Sequence, residues 1–169
     1  MKIYTDGSTY SNGSVNSTGG IGVFFGSGDI RNISESYRLN DIKETCTNNR
    51  CELYAILRAL DVCENIDENL IIYSDSKYSI NCCSIWYKKW VTNNWRSNNK
   101  EQVKNRDLIE KILKSIKKHR DKYDKSVEFK HINSHKSSPS KDSDEIYENW
   151  FGNDQADMLA RNGNNPLSL

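Results

Sequence analysis

Hydrophobic and polar positions alternate from Lys2 to Asp6 and the alternation breaks at Asp6-Gly7-Ser8, the pattern of a strand running into a turn. The Ser-, Asn- and Gly-rich stretch from Tyr10 to Gly20 reads as a hairpin loop. Two further strands are expected over Gly20–Phe25 and Ile30–Leu39, with Gly26-Ser27-Gly28-Asp29 as the turn between them. Helical spacing then takes over behind a capping Thr47 or Asn48. Leu53, Ile56, Leu57 and Leu60 fall at i, i+3, i+4 and i+7 and make one buried stripe.

The continuous apolar run Leu70-Ile71-Ile72-Tyr73 predicts a central strand covered on both faces, ending at Ser74-Asp75-Ser76. Residues 76–92 read as helical and carry Trp86 and Trp90 four apart, followed by a polar loop, 93–100, that holds Trp95. Leu108, Ile109, Ile112, Leu113 and Ile116 mark an amphipathic helix with lysines on its outer face. Val127–Ile132 is the last expected strand, 133–149 reads as polar and irregular, and a final helix is expected from about Phe151 to Arg161. The predicted order is βββ-α-β-α…α-β-α. Short hairpins imply antiparallel pairing of the first three strands, and right-handed crossovers add the later two in parallel. The expectation is an α/β fold, with helices flanking a five-stranded mixed sheet.

At 169 residues the chain is expected to form a single domain, 1–169. No stretch approaches the roughly 20 apolar residues that span a bilayer, and the N-terminus lacks the pattern of a secretory signal. The five cysteines are odd in number and form no CxxC pair, which argues against a disulfide framework and a zinc site and for a reducing, intracellular compartment (cytoplasm or nucleus). The net charge of +1 hides an asymmetry: residues 86–125 carry thirteen Lys/Arg against five Asp/Glu, and the remainder eleven against eighteen. A basic segment beside an acidic remainder suggests a footprint for a polyanion together with carboxylates set aside for another task, although a solvated lysine-rich helix face would look the same.

The candidate chemistry lies in those carboxylates. Asp6 in Tyr-Thr-Asp-Gly-Ser and Asp75 in Tyr-Ser-Asp-Ser-Lys stand at the C-terminal ends of predicted strands, the edge where α/β sheets usually build sites. If the strands are neighbours, the two carboxylates repel unless a cation neutralises them. Glu52 lies beside the apolar stripe of the first helix. Asp157, flanked by Ala156, Leu159 and Ala160, is expected to turn partly inward. Four carboxylates on one edge form an all-oxygen site suited to Mg²⁺ or Mn²⁺, and two such ions about 3.5–4 Å apart can serve in-line phosphoryl displacement. Taken singly, each acid is equally a turn or helix-start residue.

In this order, Tyr4-Thr5-Asp6-Gly7-Ser8, Gly20-Ile21-Gly22-Val23, Thr47-Asn48-Asn49-Arg50-Cys51-Glu52-Leu53, Tyr73-Ser74-Asp75-Ser76, the tryptophan segment and Gly152-Asn153-Asp154-Gln155-Ala156-Asp157 make the chain resemble type 1 ribonucleases H along nearly its whole length. The resemblance implies the ribonuclease H fold and hydrolysis of the RNA strand of RNA–DNA hybrids, leaving 5′-phosphate and 3′-hydroxyl ends. It implies two Mg²⁺ ions (Mn²⁺ as substitute) on Asp6, Glu52, Asp75 and Asp157. It also places His135 where the family has a histidine that assists proton transfer or product release. The family's preceding glycine is Ser134 here, and the 22 residues from His135 to Asp157 imply an inserted loop, 136–149.

For the hybrid itself, the resemblance implies minor-groove contacts to RNA by Asn12, Asn48 and Asn49, whose amides donate and accept. Helix capping is the alternative role for Asn48 and Asn49. It also implies a DNA-phosphate pocket at Thr47 and Asn105, with Thr45 where the family often has an arginine. Trp86 and Trp90 are expected to wall the deoxyribose, and Lys88, Lys89, Arg96 and Lys100 to supply the basic handle, with a core role as the alternative for the tryptophans. His119 and His131 read as structural or surface residues. The N-terminal hybrid-binding domain of many eukaryotic relatives is expected to be absent, and a monomer with no membrane partner is the default expectation. Competing readings are a resolvase or integrase core on the same fold, a binding module without catalysis, and a piece of a reverse transcriptase.

Overall fold

The computed structural model describes residues 1–37, 46–134, 137–139 and 144–164. Its five strands are β1 (Lys2–Tyr10), β2 (Thr18–Phe24), β3 (Ile33–Ser36), β4 (Leu70–Ser74) and β5 (Val127–His131), in the spatial order β3-β2-β1-β4-β5. The β1–β2 and β2–β3 pairs are antiparallel, and β1–β4 and β4–β5 are parallel, so the expected mixed sheet is present. The helices are α1 (Asn48–Val62), α2 (Lys77–Asn81), α3 (Tyr87–Trp90), α4 (Arg106–Tyr123) and α5 (Asp144–Gly163). A π-helical turn, Cys82–Trp86, joins α2 to α3. Among the described residues no helix is long and apolar enough to cross a membrane.

The stripe Leu53, Ile56, Leu57 and Leu60 is buried, and it meets Ile3, Ile21, Val23, Leu70 and Ile72 from the sheet and Leu108, Ile109 and Ile112 from α4. A smaller cluster of Tyr4, Phe24, Tyr73 and Ala156 fills the other side, under α5. Ile3 and Tyr4 therefore serve opposite faces, as the period of two in a strand requires.

Small residues decide how closely α5 approaches. A Cβ built on Gly22 would lie 2.0 Å from Ala156 O and 2.7 Å from Ala160 N; one on Gly20 would lie 2.2 Å from Ala160 O. Gly152, Ala156, Ala160 and Gly163 supply the matching ridge on the helix and are all buried. The helix backbone thus rests directly on β2.

Three expectations change. β1 runs on to Tyr10 rather than ending at Asp6, because Asp6 through Tyr10 keep pairing with Gly22 through Thr18. β3 begins at Ile33, since Asp29–Asn32 are held as a turn by Asn32 N–H to Asp29 O, 3.1 Å, and Phe25 N–H to Asn32 Oδ1, 2.7 Å. Residues 38 and 39 of the expected strand lie outside the described residues. The last helix starts at Asp144, so residues 144–149 of the presumed loop are helical. Two first-turn acids favour that start, and the Tyr147 ring packs on Trp150 and Phe151.

All five cysteines are free thiols and buried. Cys46 and Cys51 face each other at 3.4 Å across the Thr47 cap of α1, taking the two positions of a hydrophobic staple.

Candidate active site

The register that pairs Tyr4 with Tyr73 across β1 and β4 places Asp6 opposite Asp75 two residues further on. The two tyrosine rings stack at 5.0 Å beneath them. β4 ends at Ser74 while β1 continues, so Asp6 sits where its neighbour strand stops rather than at its own strand's end. Glu52 reaches the same point from α1. A Cβ on Gly7 would lie 2.6 Å from Glu52 N and 2.7 Å from Cys51 C, so the helix touches the strand backbone at that glycine. Asp6, Glu52 and Asp75 consequently offer carboxylate oxygens all within 4.8 Å of one another.

Asp157 stands at the rim of this group. Its side chain is 43% exposed and paired with Arg161, one helical turn on, at 2.7 Å. It is still close enough to act electrostatically on Asp6 and Asp75. The expected convergence is thus a tight trio with a fourth acid beside it, held by a surface ion pair of small energetic weight.

The trio is strained electrostatically. Burial, then the charges of Asp75 and Asp157, push the Asp6 carboxyl up to about 8 from an ordinary 3.8. Burial and the neighbouring aspartates push Glu52 up as well, and burial raises Asp75. Glu52 Oε2 is buried with no hydrogen-bond partner among the described residues. Unpartnered buried oxygen is costly, and hard carboxylate donors at this spacing fit a hard divalent cation.

These shifts carry a testable consequence. Between its unfolded value and about pH 8, the folded state holds a proton on Asp6 that the unfolded chain releases, so stability falls as pH rises. Carboxylates held low by arginine, Asp29 by Arg31 and Asp107 by Arg50, act in the opposite sense, but only below about pH 4. The melting temperature of the metal-free protein is therefore expected to drop from about pH 5 to about pH 8, and Asp6→Asn to flatten the slope. An unchanged slope in that variant would remove the buried acid as its cause.

At the N-terminus of α1, Thr47 caps the helix by accepting from Arg50 N–H at 3.3 Å. Asn12 Oδ1 accepts from Asn48 N–H at 2.9 Å, and Thr9 Oγ donates to Asn48 Oδ1 at 3.3 Å. Asn12, Asn48 and Asn49 are exposed together there, with Asn12 and Asn48 in direct contact. Asn105, at a left-handed φ of 60° before α4, accepts from Arg50 Nη1 and donates to Tyr78 OH.

Arg50, which was given no role from the sequence, is the hub of this region. Only 2% of its side chain is exposed, and it donates to Tyr37, Asn105 and both Asp107 oxygens. Its signal was present: Arg50 lies three residues before Leu53 and so continues the buried stripe.

Trp86 is exposed, Trp90 half-buried and Trp95 buried, in a chain of rings that starts at Tyr78 with centroids 5.9–6.0 Å apart. The Arg106 guanidinium lies 5.0 Å over Trp95. Trp86, Trp90, Ile85, Lys89, Ser97 and Asn98 line one groove. His119 is buried with Nε2 2.9 Å from Glu68 O. His131 is exposed, with Nε2 3.2 Å from Asp75 O. His135, Lys136 and Thr45 lie outside the described residues.

A family model described as RNase H matches residues 1–165. The chain belongs to the ribonuclease H family. The Ribonuclease H of Schizosaccharomyces pombe is 38% identical to this family member over 161 residues, covering 95% of this chain and 52% of that protein. The chain therefore spans about half the length of that relative. The Ribonuclease H of Chlorobium limicola is 34% identical over 142 residues, 82% of this chain and 86% of that protein. In fold, this ribonuclease H family chain matches the solution structure of the PFV RNase H domain with a TM-score of 0.67 at 21% identity, over 96% of this chain and 93% of that one.

Proposed function

We propose that this chain is an endonuclease that hydrolyses the RNA strand of RNA–DNA hybrids. The observation that carries the reading is the trio of buried Asp6 and Glu52 with half-buried Asp75, all within 4.8 Å, in a chain of the ribonuclease H family. Asp6, Glu52 and Asp75, with Asp157 beside them, are the residues that would hold Mg²⁺ or Mn²⁺. When bound there, two such ions supply the charge that activates water and stabilises the leaving oxygen of an in-line displacement. Hydrolysis of that kind leaves 5′-phosphate and 3′-hydroxyl ends.

The chain's own residues position the duplex. Asn12, Asn48 and Asn49 present amides at the N-terminus of α1, able to donate to and accept from ribose 2′-hydroxyls. Thr47 and Asn105, both tied to Arg50, are assigned to a phosphate of the DNA strand. Trp86 and Trp90 form an apolar wall for deoxyribose, and lysines around them neutralise phosphates. His135 is assigned proton transfer or product release. One copy carries all four acids, so residues 1–169 acting as a monomeric catalytic unit are the proposed working form.

Trp86→Ala is expected to weaken hybrid binding about tenfold, the loss of an aromatic contact worth about 1.4 kcal/mol, while the metal requirement stays put. Fluorescence anisotropy with labelled hybrid reads this directly, and unchanged affinity would confine Trp86 to packing.

The deciding assay presents one end-labelled RNA strand alone, as RNA–RNA duplex and as RNA–DNA hybrid, with Mg²⁺ or EDTA. Metal-dependent cutting of the hybrid alone is expected. Cutting of all three forms would overturn hybrid specificity, and binding without cutting would overturn catalysis.

A further inference from the structure

β5 does more at the site than close the sheet edge. The β4–β5 ladder pairs Ser74 with His131, and its final bond runs from Ile132 N–H to Ser74 O at 3.0 Å. One residue further, β4 has ended and the chain turns through Asp75 towards the Ser76 cap of α2. There the His131 imidazole takes over, with Nε2 3.2 Å from the Asp75 carbonyl oxygen. A carbonyl only accepts, so Nε2 carries the proton and donates.

Asp75 is the acid with most need of an anchor. Glu52 projects from the second turn of a fifteen-residue helix and Asp6 from the interior of β1. Asp75 alone projects from a strand end, and the charges of Asp6 and Asp157 repel it. Ser134, where the sequence departs from the family's glycine, lies near enough to favour the charged form of the Asp75 carboxylate. The exit of β5 thus holds Asp75 at its main chain through His131.

We propose that His131 is a positioning residue, whose hydrogen bond to the Asp75 main chain holds that carboxylate in place for the divalent ion. The inference rests on the metal-site reading above. Groups that orient a metal ligand from outside are worth about 10–100-fold in metal affinity when lost.

The test is a Mg²⁺ titration of the full chain without substrate, followed by thermal shift, for wild type, His131→Ala and His131→Gln. The half-effect Mg²⁺ concentration is expected to rise about tenfold in His131→Ala and to return close to the wild-type value in His131→Gln, whose amide can donate to the same carbonyl. Under multiple turnover, His131→Ala should lose kcat at low Mg²⁺, regain it at high Mg²⁺ and keep its KM for hybrid. A lowered melting temperature in EDTA with an unchanged Mg²⁺ midpoint would overturn the inference and make His131 a stabilising contact only. A wild-type protein that shows no Mg²⁺ shift would instead overturn the metal site itself, and this inference with it.

Discussion

Asp6→Asn is expected to abolish hybrid cleavage while leaving hybrid binding intact and raising the melting temperature of the metal-free protein. Asp6 is the acid shared by the cluster: β1 brings it opposite Asp75, and the contact at Gly7 brings Glu52 onto it. Loss of one central ligand removes several kcal/mol of transition-state stabilisation, on the order of 10³-fold in rate or more. The same substitution removes a carboxyl that must take up a proton to be buried beside its neighbours, so the empty site becomes easier to fold around. The proposed binding surfaces at Asn48, Asn49 and Trp86 lie on other elements and should be untouched. Single-turnover cleavage, anisotropy in EDTA and thermal melts give the three readouts. Full activity in Asp6→Asn would sink the metal-site assignment, and a lower melting temperature would sink the electrostatic account of the cluster.

The second large effect is expected at Gly22, far from any charge. A methyl group there would sit 2.0 Å from Ala156 O and 2.7 Å from Ala160 N, and helix backbone has no rotamer by which to withdraw. Gly22→Ala should therefore lift α5 off β2, at a cost of about 3 kcal/mol or more and roughly 6–12 °C in melting temperature. Asp157 lies between those two alanines, so cleavage should fall as well. Gly26→Ala is the control, since nothing lies within 4 Å of its added methyl and its φ is not left-handed. If Gly22→Ala and Gly26→Ala melt alike, α5 does not pack on β2 as described.

Much of this was legible because the governing patterns are local. The stripe Leu53–Leu60 announces one face of α1, and the repeated Tyr-x-Asp string, in β1 and at the exit of β4, announces two strands that carry acids to one edge. Strand ends and helix positions already pointed the four acids to one edge, and the resemblance to a family added support to that grouping. The failures have physical reasons. Asp6, Gly7 and Ser8 look like turn residues, yet β2 offers a complete partner row and the strand continues. The first turns of α5 are too polar to stand out, and their helicity rests on stacked rings and pairing with Lys2 rather than on an apolar face. Trp95 sits in a polar segment but is buried by ring contacts to Trp90 and by Arg106. The stripe signals that Arg50 is buried, but the partners of Arg50 and His131, Asp107 and the Asp75 carbonyl, lie 57 and 56 residues away and are not legible from local spacing. Nor does sequence spacing set how deep Asp157 sits, which follows from the glycine contacts beneath α5.

The reliance of α5 on β2 also bears on the order in which the protein is made. The repelling trio has been synthesised by residue 75, but the helix that covers Tyr4, Phe24 and Tyr73 comes from residues 144–163. A nascent chain therefore carries its clustered acids on a sheet with one apolar face still bare, a form prone to aggregate and dependent on protection until synthesis passes α5. A message cut short before that helix yields no partly assembled site, because the fourth acid and the cover for that face arrive together.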